Sequence, residues 1–89
     1  MSTVVPFIHV GFGNYIAANR VIGINAPNSS PTKRMIVESR TRGMVIDTTN
    51  GRKTKAVITT DSGHVILAAI EPETLAVRLR QSKPQVKNG

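Results

Sequence analysis

The residues with the strongest chemical character in this sequence are cations set beside a turn. In "TTNGRKTKAVITT", Arg52, Lys53 and Lys55 directly follow Asn50 and Gly51. Asn-Gly between two runs of β-formers is a strong hairpin signal, because both residues tolerate the positive φ of a type I′ turn. The pattern predicts "MVIDTT" paired with "RKTKAVITT", Thr49 opposite Arg52, and Lys53 and Lys55 on one face with Arg52 on the other. Like charges crowded at the tip of a stiff two-stranded element repel each other, and a phosphate backbone would neutralise them. Such a ribbon also fits the DNA major groove, where an arginine can pair bidentately with phosphate oxygens or with guanine. Arg20, in "AANRVIG", is a further candidate, since a charge among apolar strand residues points to a use. A salt bridge between subunits is the structural reading of the same residue.

Other chemistries find less support. "GFGNYI" has Ile16 where a dinucleotide-binding fingerprint would have its third glycine, and no G-K-[ST] occurs, so this segment reads as a bulge or sharp bend in a strand. "DSGH" holds Asp61, Ser62 and His64, but neighbours in a tight turn are not expected to line up as nucleophile and base. His9, His64 and five carboxylates show no metal-ligand spacing. Glu71 and Glu73 suit a helix N-terminus, and Glu38 has Arg42 four residues on. No catalytic residue, metal site, cofactor or small-molecule substrate is expected, and the chain reads as a non-enzyme. Arg34, Arg40, Arg42, Arg78 and Arg80 read as solvated helix faces.

The elements that must carry these residues belong to a small domain. A chain of 89 residues buries only about 60% of its unfolded surface, so its own core is marginal. Twelve Lys and Arg against five Asp and Glu give +7, the footprint of a polyanion binder. Aromatics number three, Phe7, Phe12 and Tyr15, which leaves little for a platform stacking unpaired bases. There is no cysteine, no apolar run of membrane-spanning length and no basic start of a signal peptide, so a cytoplasmic location with no membrane partner is expected.

Valine and isoleucine dominate the apolar set and favour a sheet. A strand is expected over Val4–Val10. A helix should follow "NAPNSSPT", with Ser30 as N-cap, Pro31 at its first position and Gly43 ending it. "HVILAAI" reads as a strand buried on both faces, and a short helix should start at Pro72, with Leu75 and Leu79 one turn apart. Residues 1–81 form one expected domain and residues 82–89 a polar, disordered tail. The fold class is α+β: a small twisted antiparallel sheet of five or six strands with two short helices.

"HVGFGNYIAANRVIGI", "SPTKRMI", "RTRGMVIDTTNGRKTKAVI" and "DSGHVILAAIEPET" together resemble the RemA family of bacterial extracellular matrix regulatory proteins over about residues 7 to 80. The resemblance implies a fold related to LytTR-type DNA-binding domains, a closed homo-oligomeric ring (an octamer), double-stranded DNA as partner, and activation of biofilm-matrix genes within the cell, at the nucleoid. It also implies DNA-binding roles for Arg20, Arg52 and Lys53, with Lys55 standing where relatives carry a further arginine. Lysine lacks the planar fork of arginine, which favours phosphate contact over base reading at Lys53. Asn50 replaces an aromatic common in the family, which improves the turn and removes a stacking role there. An RNA- or ribosome-associated basic protein and a structural oligomer without nucleic-acid contact are the alternatives.

Overall fold

Two strands of this chain are apolar on both faces, and they organise the rest. In the computed structural model, which describes residues 6–82, Ala56–Thr60 and Val65–Ala68 form central strands. Every residue of these two strands except Thr59 is buried. In chain order the elements are β1 (Phe7–Gly11), β2 (Asn14–Ala17), a 3-10 turn (Ala18–Arg20), β3 (Val21–Asn25), α1 (Ser30–Thr41), β4 (Val45–Asp47), β5 (Ala56–Thr60), β6 (Val65–Ala68) and α2 (Pro72–Ser82).

β1 and β2 make an antiparallel hairpin, and the other four strands form a sheet in the order β3-β5-β6-β4. The α+β class and the two helices are as expected. The all-antiparallel sheet is not: β4 runs parallel to β6, with Val45 opposite Val65 and Asp47 opposite Leu67. "MVID" therefore does not pair with "KAVITT". A strand apolar on both faces is most stable with neighbours on both edges, and β6 takes β5 on one side and β4 on the other. β3 and β4 consequently point the same way, and α1 is the crossover between them.

The period-two alternation of side chains splits the core between the two faces of the sheet. Ala56, Ile58, Ile66 and Ala68 meet Ile8 and Val10 of β1 and Leu75 of α2. Val57, Val65 and Leu67 meet Met35 and Ile36 of α1, with Val45 of β4. The few apolar residues of α1 are thus enough, because the face they dock on is completed by the sheet.

Helix ends follow local chemistry, with small shifts from expectation. Ser29, not Ser30, is the N-cap of α1, its hydroxyl accepting from the Thr32 N–H at 3.3 Å, and Pro31 lies in the first turn. Gly43 ends the helix at φ +70°, donating to the Arg40 carbonyl while the Met44 N–H donates to Ser39, the paired bonds of a Schellman motif. The ion pairs among the described residues are Arg20–Asp61 and Lys55–Glu71, so the anticipated Glu38–Arg42 pair does not form. α2 starts at Pro72 and takes in Ser82, the first residue of the expected tail. Val4, Val5 and residues 83–89 lie outside the described residues.

Leu75 is fully buried where α2 seals the sheet. Leu75→Ala should lower unfolding free energy by about 2–5 kcal/mol in a urea titration; a loss below about 1 kcal/mol would show that α2 is not part of the core.

Candidate nucleic-acid interface

Residues 48–55 leave β4, cross the end of β6 and enter β5. Both ends of this loop are tied to that strand: the Thr48 N–H and hydroxyl both donate to the Leu67 carbonyl, at 2.9 and 2.7 Å, and the Lys55 N–H donates to Ala68 at 2.8 Å. Within the loop, Asp47 accepts from the Thr49 hydroxyl and from the Thr49 N–H, the latter at 2.8 Å. Those two bonds hold the Asp47 carboxyl below the usual aspartate range, with a smaller contribution from the Arg40 charge.

The Asn50-Gly51 turn then forms as its residues dictate, at φ +53° and +78°, with the Arg52 N–H donating to the Thr49 carbonyl at 3.0 Å. The turn expected from the sequence is present, but the β-ribbon expected on either side of it is not. Arg52, Lys53 and Lys55 sit on an anchored loop, so their alternation across two strand faces does not apply.

All three cations are exposed. Lys55 Nζ is 3.8 Å from Glu71 Oε1, a long pair between half-exposed side chains that contributes little. Lys53 has no carboxylate partner among the described residues. The Arg52 guanidinium lies 5.7 Å from the ring centre of Phe12, at the tip of the β1–β2 hairpin. Phe12 was missed by sequence reasoning, which took "GFGN" only as a bend. The segment is indeed a bulged hairpin turn, but the signal lay in a bulky residue between two glycines, at φ +53°.

Arg20 ends the 3-10 turn that leads into β3. Its Nε donates to Asp61 Oδ1 at 2.7 Å, and the Asp61 N–H donates back to the Arg20 carbonyl at 3.0 Å. Arg20 thus has an ion-pair partner within its own chain, where the sequence suggested a bridge between subunits. The two side chains remain 57% and 48% exposed, and the terminal nitrogens of Arg20 make no hydrogen bond among the described residues.

The structure does not bring Arg20 to the other three cations. Arg20 adjoins the last residue of β5 and the loop adjoins its first, so about four strand steps, roughly 14 Å, separate them.

Residues 61–63 form the turn expected of "DSGH", with one contact that was not expected. Ser62 Oγ lies 2.7 Å from His64 Nδ1, so these neighbours do line up, while Asp61 is engaged by Arg20 instead of by the histidine. Arg78 is half-buried and donates to the His9 carbonyl at 2.8 Å, which sets it apart from a solvated face.

These features define a class: a small basic α+β domain that displays cations on an anchored loop at one end of a mixed sheet. Residues 7–79 match the family model described as extracellular matrix regulatory protein A-like, and the chain belongs to this RemA-like family. A relative from Dehalococcoides mccartyi is 61% identical over 79 residues, covering 89% of this chain and 82% of its own. One from Carboxydothermus hydrogenoformans is 54% identical over 84 residues, covering 94% and 97%. One from Desulforudis audaxviator is 59% identical over 75 residues, covering 84% and 79%. Their names present them provisionally as regulatory proteins. No helix among the described residues is long and apolar enough to cross a membrane.

A carboxyl whose pKa is lowered on folding adds stability above its ordinary value and loses it as pH falls through the folded value. Asp47 should therefore titrate below the usual aspartate midpoint by carboxyl NMR, and Asp47→Asn should flatten the fall in stability below about pH 4. A midpoint at or above the ordinary value would contradict the two Thr49 bonds.

Proposed function

We propose that this protein is a DNA-binding regulator of transcription that works as a closed homo-oligomeric ring in the cytoplasm, at the nucleoid. Its targets are genes of the extracellular matrix, the class the family name denotes, and with them those of biofilm formation. One observation carries the reading: Arg52, Lys53 and Lys55 are held together and exposed on a loop tied at both ends to β6. Their repulsion is a cost that a phosphate backbone removes. The surplus of +7 and the exposed Arg20 act in the same direction.

Self-association is supported by the outer strands of the sheet. Among the described residues no strand pairs with the outer edges of β3 and β4, and Ile22 and Ile46 on them are 71% and 47% exposed. Cyclic symmetry places all copies of a residue on one circle. A ring would therefore carry one circle of loop cations and a second of Arg20, and a duplex bound along it would meet many weak sites at once. The likeness to LytTR-type domains belongs to the same proposal.

A second reading, binding of single-stranded RNA, has one observation in its favour. Phe7, His9 and Tyr15 share the outer face of the hairpin, with the His9 and Tyr15 ring centres 4.9 Å apart. Stacking of unpaired bases would use such a face. Competition of duplex DNA against single-stranded RNA at equal salt separates the two readings.

Arg52→Ala should weaken duplex binding across sequences and lower the salt slope by about 1 per engaged copy, with the oligomer's mass unchanged in native mass spectrometry. Unchanged affinity and slope would refute the assignment of the loop.

A further inference from the structure

The same turn is built twice at one end of the molecule, with opposite choices of residue. Asn50-Gly51 has φ values of +53° and +78°, and Phe12-Gly13 has +53° and +76°. Asparagine is favoured at the first of these positions, whereas a bulky aromatic there is an outlier that crowds its own Cβ against the backbone. Burial does not explain Phe12, which is 49% exposed while Ile8 and Val10 carry the packing of the hairpin. Its ring does have one distinctive neighbour, the Arg52 guanidinium, 5.7 Å from the centroid.

We infer that Phe12 is a positioning residue for Arg52, its ring holding the guanidinium in place for an incoming phosphate or guanine. This rests on the reading of Arg52 as a DNA contact. The two arginines are held by different chemistry, with different consequences. Asp61 takes the Nε–H of Arg20 and cancels part of its charge. An aromatic face restrains a guanidinium while leaving all five N–H donors and the full charge free for a ligand. A side chain ordered in advance loses less freedom on binding. The strain at Phe12 is thus tied to function, since Phe12 is in neither core cluster of the described residues.

The test is Phe12→Asn, with Phe12→Tyr and Phe12→Leu beside it, each alone and in the Arg52→Ala background, read by thermal unfolding and duplex affinity. Phe12→Asn should unfold at the same or a higher temperature, because it supplies the favoured turn residue, yet bind DNA about three- to tenfold more weakly. Phe12→Tyr should keep wild-type affinity. Phe12→Leu, which retains bulk without a ring face, should lose affinity as Phe12→Asn does, and it decides the matter if Phe12→Asn fails to fold. In the Arg52→Ala background neither loss should appear. Wild-type affinity for Phe12→Asn or Phe12→Leu overturns the inference, as does an undiminished loss when Arg52 is absent. If Arg52→Ala alone leaves binding unchanged, the functional reading falls and the inference falls with it.

Discussion

The constraint on which this structure depends is that β6, "VILA", is apolar on both faces and so must lie inside the sheet. With β5 on one edge, the other edge is filled by β4, delivered there by the α1 crossover. The segment from β4 to β5 cannot then be a hairpin, because a strand lies between its ends. It has to cross the end of β6, and it carries three cations over that crossing. The position of the charged loop is a consequence of where the core puts its most apolar strand.

That loop is kept in shape by polar groups that would look incidental in isolation. Thr48 and Thr49 are buried, their hydroxyls turned to the Leu67 carbonyl and the Asp47 carboxylate. Each buried donor finds an acceptor, so the loop is pinned without a penalty for unmet polar groups. Arg52 and Lys53 lie beyond these anchors, where the chain is held and neither charge has a carboxylate partner among the described residues. At the opposite end of β5, Arg20 is held by a carboxylate. One domain thus carries two kinds of cationic site, one restrained by an aromatic and one by an ion pair.

Much of this was legible in the sequence, and the parts that were not share a cause. Signals confined to a few residues held: the Asn50-Gly51 turn, the stop at Gly43, the start at Pro72 and, within "HVILAAI", the burial of Val65–Ala68 follow from local sterics and hydropathy. The pairing of β4 did not hold, because the choice between β5 and β6 as its partner is made by burial across the whole sheet and leaves no mark in "MVID" itself. The cations Arg20, Arg52, Lys53 and Lys55 could be picked out by type and crowding. That Arg20 stands apart from the others, that Asp61 holds it and that Phe12 lies against Arg52 are contacts between distant segments. Even so, a phenylalanine between two glycines was a visible anomaly, since the turn that such glycines allow does not favour an aromatic.

The central claim is that the loop crossing the end of β6 meets the phosphate backbone, and lysine footprinting tests it most directly. The free protein and its complex with duplex DNA are treated with an acetylating reagent, and the modified sites are read by mass spectrometry. The account predicts that Lys53 reacts readily in the free protein and is shielded in the complex. Equal reactivity of Lys53 in both states would contradict it.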